Sequence, residues 1–324
     1  PWCLHLSYIK PHWPYIAPAP YNDMYSADDL LPVVRSQAER DDPHPVYREF
    51  MSHRVSSAFS RDEVRAEVGP VYMGLIKQID DSLGILFGYM EKQGLLDSTL
   101  IVFTSDHGDY LGDHWLGEKD LFHEPSVKIP LIVYDPSPEA DSTRGTVCDE
   151  LTEAIDLAPT FLDAVGGDSA QQAHRLEGRS LLPLLRGQAP AAWRRFAISE
   201  YDYSMLPAAA RLGVAPRDAR LFMVADKRWK YIHAVGFRPM LYDLQTDPQE
   251  FVDLGADPAY EAERSRMAAA LAAWGLRLSQ RTTRSEDQIR QARGKSLRKG
   301  ILIGVWDEGD VADDLWSAYL GDRP

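Results

Sequence analysis

The sequence predicts an α/β layer structure followed by a small antiparallel sheet, and three observations carry that reading. Between about Glu67 and Gln93, Tyr72, Leu75, Ile76, Ile79, Leu83, Leu86 and Met90 recur at three- and four-residue steps. They form one apolar stripe along a long helix, which Gly94 closes. Two continuous apolar runs follow, Thr99–Thr104 and Ile129–Tyr134. Such unalternating runs suit parallel strands buried on both faces. From Phe196 the texture changes to short strand-like runs, Phe196–Glu200, Leu221–Ala225, Trp229–His233 and Leu241–Asp243, separated by turn residues. Their spacing suits an antiparallel sheet, which the Ala-rich helix at Ala259–Ser279 could cover.

The remaining elements fit around these. The chain opens with no initiator Met, and Trp2, Leu4, Leu6 and Tyr8 alternate with the residues between them as in a strand. A chain that starts inside a core strand is expected to have lost what preceded it, including any signal peptide. Residues 10–60 read as irregular, since Pro11, Pro14, Pro18 and Pro20 keep the first part out of helix and sheet. Asp149–Ala164 reads as a helix, with Pro159 a kink, and Arg179–Leu185 as a packed connector. Three regions result: an α/β domain over 1–195, a small antiparallel-sheet subdomain with its helix over 196–285, and a tail over 286–324. In the tail, Ile301, Leu302, Ile303, Val305, Trp306, Trp316 and Tyr319 are too apolar for free solvation. The tail is expected either to fold back or to form an oligomer contact.

Composition excludes some partners. The chain has 324 residues, 44% of them hydrophobic, and a formal net charge of −14. No Lys/Arg surplus exists for nucleic-acid phosphates, so no nucleic acid is expected. No run of 18 apolar residues exists, so no membrane span is expected, and the expected compartment is the cytoplasm. A small anionic substrate stays compatible, because one basic pocket can sit in an acidic protein. Cys3, in its strand-like run, is expected to be buried and reduced, and no disulfide with Cys148 is expected.

The chemistry concentrates at Thr104-Ser105-Asp106-His107-Gly108-Asp109. Ligands bind beyond the carboxyl ends of strands in α/β sheets, and here an acid and an imidazole follow a strand directly. Their oxygen and nitrogen donors suit a divalent ion such as Mn²⁺, Ca²⁺ or Mg²⁺. A plain polar turn would read the same way. Asp113 and His114 form a rival pair that the local pattern does not exclude. Lys119 could neutralise an anion, and His12, in a Pro-flanked loop, could act as an acid. His123 and Glu124 could support such a site from behind.

Several motifs in order resemble those of the sulfatases, and within them the phosphonate monoester hydrolases. They are Lys10-Pro11-His12-Trp13-Pro14-Tyr15, the Thr104–Asp109 motif with Lys119 and Ile129–Val133, Asp156–Thr160, Gly178–Leu184, and Lys230-Tyr231-Ile232 with Leu241–Leu244 and Asp247–Glu250. The resemblance runs to about residue 280. It implies the C-terminal part of an alkaline-phosphatase-like α/β fold, with a parallel or mixed sheet layered by helices. It implies that Asp106 and His107 are metal ligands, for Mn²⁺ or Ca²⁺, that Lys119 holds a substrate oxygen, and that His12 assists the leaving group. The expected substrate is a small anionic phosphonate or sulfate monoester, and the expected full-length assembly is a homo-oligomer. The family's nucleophile is a formylglycine made in a Cys/Ser-X-Pro-X-Arg motif. Cys3 and Cys148 do not fit that motif, and no serine does. The nucleophile and the remaining metal ligands are therefore expected upstream. An arylsulfatase or choline-sulfatase-like enzyme, or a non-catalytic binding protein on the same fold, are the alternatives.

Overall fold

A computed structural model describes residues 2–172, 176–188, 190, 192–276, 290, 291 and 293. The tail beyond 293, with its apolar residues, lies outside the described residues. Residues 2–37 hold only short 3-10 turns at Tyr21–Asp23 and Ala27–Asp29. Four helices follow: α1 (Ala38–Asp41), α2 (Pro45–Met51), α3 (Arg54–Phe59) and α4 (Asp62–Lys92). The expectation of an irregular 10–60 is thus corrected for residues 38–59. There Val46, Tyr47, Phe50 and Phe59 are buried, so tertiary packing stabilises helices too short to form alone. In α4, Asp62 and Glu63 lie in the first turn and Lys92 in the last, as the helix dipole favours. The chain then leaves through Gly94 at φ +65°, the left-handed conformation glycine takes without strain.

Strand β1 (Ile101–Thr104), helix α5 (Glu124–Val127) and strand β2 (Leu131–Tyr134) come next. The two strands pair antiparallel, Ile101 opposite Tyr134 and Thr104 opposite Leu131. The reading of parallel strands buried on both faces is therefore corrected. An unbroken apolar run asks for cover but does not set a neighbour's direction, and here Ile132 is 64% exposed. The alternation at Trp2, Leu4, Leu6 and Tyr8 gives no strand, and all four side chains are exposed. Alternation makes a strand only where another strand accepts its backbone bonds, and among the described residues none does. Cys3 shares that exposure, against the expectation of burial, and both cysteines are free.

Helix α6 (Leu157–Ala164) begins two residues before Pro159 rather than at Asp149. Proline is tolerated in a first turn, where its missing N–H has no partner to lose, so it starts this helix instead of kinking it. Helix α7 (Leu182–Leu185) lies in the expected connector.

The second sheet is a meander. Strands β3 (Ala197–Asp202), β4 (Arg220–Ala225), β5 (Trp229–Ala234) and β6 (Met240–Asp243) pair antiparallel in chain order, with α8 (Pro207–Arg211) between β3 and β4. Period-2 alternation divides its faces. Val224, Trp229, Tyr231 and Leu241 pack under Met267 and Leu271 of α9 (Glu261–Gly275). Leu221, Met223, Ile232, Met240 and Tyr242 face the other way, onto Val46, Tyr47 and Phe50 of α2 and onto Tyr110, Leu116, Leu121 and Phe122. Each such fully buried Leu, Ile or Met stabilises the layer by about 1.5–3 kcal/mol. The loop from 108 to 123 is therefore held against the second sheet by the main core. Among the described residues the protein is a mixed α/β structure with two antiparallel sheets and helices layered on them.

Candidate active site

The loop after β1 carries the first part of the site. Asp106 and His107 leave the strand end side by side, with Asp106 Oδ2 3.6 Å from His107 Nε2. The Asp106 side chain is 87% exposed and that of His107 28%. His107 Nδ1–H donates to the Gly108 carbonyl at 2.8 Å. A carbonyl can only accept, so Nδ1 carries the proton of the neutral ring and Nε2 is the nitrogen left free as a ligand, on the side facing Asp106. Metal-ligating histidines are commonly oriented this way, by a hydrogen bond from the other ring nitrogen. Gly108 has no room for a side chain: a Cβ there would lie 1.9 Å from the Pro125 carbonyl oxygen. Its N–H donates to Ser126 O at 2.8 Å, so the turn sits directly on α5.

The second part comes from the proline-rich loop. His12 Nδ1–H donates to its neighbour's carbonyl, Trp13 O, at 2.9 Å. Its Nε2 accepts from the Lys119 ammonium at 3.1 Å, across 107 residues of chain. The His12 and His107 rings meet edge to face, 5.9 Å between centroids. The structure thus brings together all four residues singled out as candidates, His12, Asp106, His107 and Lys119. Among the described residues no group of three or more His, Cys, Asp and Glu side chains is arranged to hold a metal. The two donors present, a carboxylate oxygen and an oriented imidazole nitrogen, fit part of a hard divalent ion's shell, which takes about six ligands.

The rival residues do other work. His114 is buried and stacks on buried His123, 3.8 Å apart and 4° from parallel. It donates from Nδ1 to Glu39 at 2.6 Å, while Asp113 accepts from the Val34 amide at 2.8 Å. Both rivals therefore fix the loop onto residues 34–39. Burial drives the His123 pKa well below that of a free histidine, with the neighbouring His114 and Lys230 adding to it.

Four residues beside the site, Tyr15, Tyr72, Asp109 and Glu118, were not assigned a role in it from the sequence. Tyr15 donates to half-buried Asp109 at 2.7 Å. Burial raises the pKa of Asp109, that of Tyr15 (with Asp109 adding to it) and that of Glu118. Tyr72, also near Asp109, is pushed up to about 12, mainly by burial. The signal for Tyr15 was its place right after Pro14 in the same loop as His12. For Asp109 it was a second acid three residues after the first. Lys10 donates to the Pro14 and His12 carbonyls, which closes the proline loop on itself.

Comparison with known proteins places this geometry. A sulfatase family model matches residues 1–167, and a model of the C-terminal part of N-sulphoglucosamine sulphohydrolase matches residues 112–275. The multifunctional alkaline phosphatase superfamily protein PehA of Trinickia caryophylli is 35% identical over 300 residues, which cover 87% of this chain and 57% of that protein. The choline-sulfatase of Rhizobium meliloti is 27% identical over 319 residues, covering 95% of this chain and 57% of that one. The phosphonate monoester hydrolase of Silicibacter pomeroyi superposes with a TM-score of 0.76 at 31% identity, over 84% of this chain and 55% of that chain. The chain spans a little over half the length of these relatives. It belongs to the sulfatase family, within the alkaline phosphatase superfamily.

Proposed function

We propose that this chain is part of a metal-dependent hydrolase of phosphonate or sulfate monoesters whose formylglycine nucleophile lies upstream of Pro1. The observation that carries the reading is the meeting of His12 Nε2 and the Lys119 ammonium at 3.1 Å, beside the His107 ring. A monoester anion needs a cation for its oxygens and an acid for its leaving group at one place. Lys119 would take an anionic oxygen in exchange for its bond to His12. His12, held by its Nδ1–H bond to Trp13 O, would keep Nε2 aimed at the leaving oxygen and, once Lys119 has turned to the substrate and Nε2 has taken up a proton from solvent, pass that proton to the leaving oxygen. Asp106 and His107 would hold a divalent ion, Mn²⁺ or Ca²⁺, together with ligands from the upstream part. When bound, that ion would offset the charge of the substrate and of the group that attacks it. Asp109 would stay behind the site, engaged by Tyr15.

A second reading, a choline-sulfatase-like enzyme, is favoured by the 27% identity that extends over 95% of the chain. Substrate choice separates the two. The full-length gene product is assayed with an aryl phosphonate monoester, an aryl sulfate and choline sulfate. Preference for the phosphonate supports the first reading, and preference for choline sulfate the second. In that enzyme Lys119→Ala is expected to lower turnover about 100-fold or more, with little effect on folding. Unchanged turnover would remove Lys119 from the site. The upstream reading frame is expected to contain a Cys/Ser-X-Pro-X-Arg motif. Robust turnover by residues 1–324 alone would overturn the proposal, since it would mean a nucleophile within them.

A further inference from the structure

Two motifs of the second sheet and its flank, Lys230-Tyr231-Ile232 and Asp247-Pro248-Gln249-Glu250, take no part in that chemistry. In the structure they meet in a buried ion cluster beneath the loop that carries Lys119. Lys230 Nζ lies 2.7 Å from Glu250 Oε1, 2.7 Å from Glu124 Oε1 and 2.9 Å from the Phe122 carbonyl. Two of the ammonium's three donors have hydrogen-bond acceptors, the Phe122 carbonyl and Glu124 Oε1, while Glu250 Oε1 is held by charge alone and accepts no hydrogen bond. The other Glu250 oxygen accepts from the Glu124 amide at 2.7 Å. Lys230 is 1% exposed and Glu250 2%. Burial raises the Glu250 carboxyl pKa, against the pull of Lys230.

Buried ions of this kind are weak stabilisers. Taking them out of water costs several kcal/mol each, and apolar side chains of the same volume often do as well. What ions supply is fixed geometry, and here the geometry leads to the site. Glu124 opens α5. Two residues on, the Ser126 carbonyl accepts from the Gly108 amide at 2.8 Å, and the Ser126 hydroxyl donates to the Lys119 carbonyl. Pro125 O lies so close to Gly108 that a methyl group would not fit between them. No slack remains between α5 and the turn that bears His107. A shift of Glu124 therefore moves the His107 turn and the Lys119 loop together.

We infer that Lys230 and Glu250 are positioning residues: from the second sheet they clamp α5, and through it they set the spacing of Lys119 and His12 against the Asp106–His107 turn. This role in catalysis rests on the proposed function, but the clamp itself can be tested without any substrate. Lys230→Met is made in the full 324-residue chain, and amide hydrogen exchange is followed at Gly108, Tyr110 and Val127 and, for comparison, at Met223 and Val224 of β4. Exchange at the first three is expected to rise about 10-fold or more, with β4 changed less than about 2-fold. The ¹⁵N signals of the His12 ring are expected to move as its Nε2 loses Lys119. If Lys230→Met does not fold, Glu250→Gln is read instead. It keeps an acceptor and removes a charge, and is expected to speed the same three amides about 3-fold. Equal acceleration everywhere would mean a merely structural role. No acceleration at Gly108 would mean that the clamp does not reach the site. Either result overturns the inference. Failure of the wild-type full-length enzyme to hydrolyse monoesters would sink the proposed function and leave the exchange result standing.

Discussion

Replacing Asp156 by alanine removes one fully buried carboxylate that serves four donors. Arg194 Nη1 reaches Oδ2 at 2.7 Å, and Nη2 binds Oδ1. The Arg179 amide donates to Oδ1 at 2.8 Å and the Glu153 amide to Oδ2 at 2.8 Å. The carboxylate therefore joins the start of α6 to the connector at 178–181 and to Arg194, itself only 8% exposed. Breaking a buried pair by deleting one partner costs about 3–5 kcal/mol. Arg194 keeps a contact with Glu153 at 2.8 Å, so the low end, about 3 kcal/mol, applies to the ions. Two amides without acceptors add about 1 kcal/mol each at least, for a total near 5 kcal/mol. That approaches the whole stability of a marginal domain, about 5–15 kcal/mol. Urea unfolding of the chain, followed by circular dichroism, is the assay. With a slope of about 3 kcal/mol per molar, the midpoint should fall by about 1.7 M. Asp156→Asn, which keeps one oxygen acceptor, should fall between the variant and the wild type. A loss below about 1 kcal/mol for Asp156→Ala would refute the reasoning, because it would mean that water or Glu153 already satisfies Arg194.

Gly108→Ala forces a methyl group to 1.9 Å from Pro125 O, so α5 must move and the Gly108–Ser126 bond must lengthen. A loss of about 2–3 kcal/mol is expected by urea unfolding, together with displaced His12 ring signals by NMR; a wild-type spectrum would contradict it. His44 and His123 are both buried, and burial lowers both pKa values from 6.5. The unfolded chain therefore takes up protons first. The stability from these neutral rings is whole above pH 6.5 and is lost as pH falls below it, by up to about 1.4 kcal/mol per pH unit per ring. Urea midpoints measured from pH 8 to pH 5 check this, and a flat profile, or one rising toward acid, would exclude it. Removing residues 288–324 from the full-length enzyme is expected to lower its oligomer mass in light scattering; an unchanged mass would count against an interface role for the tail.

What the sequence made legible was local. The stripe on α4, the four short strands and their covering helix can each be read within a window of ten to thirty residues, and the structure has them. The Asp106–His107 turn was legible because a strand end with an acid and an imidazole is a local pattern. What the sequence left open depended on distant partners. Asp113 and His114 looked as good as Asp106 and His107 until the fold put Glu39, 75 residues away, on His114. The apolar runs at β1 and β2 announced strands, but their antiparallel pairing depends on how the intervening residues return. The alternation at Trp2–Tyr8 described a strand with no ladder to join among the described residues. Tyr15 and Asp109 escaped assignment for the same reason, since their bond spans 94 residues.

The long reach of the Lys230–Glu250 clamp has a consequence in time. Glu250 binds an amide that precedes it by 126 residues. At about 5–20 residues per second of synthesis, it leaves the ribosome roughly 6–25 s after Glu124 does. Throughout that interval the Lys119 loop exists as polypeptide but lacks the Glu250 carboxylate, and until residue 230 is made it lacks the Lys230 ammonium as well. On the clamp inferred above, α5 is expected to stay adjustable for as long as that carboxylate is missing. It sets only when the second sheet arrives.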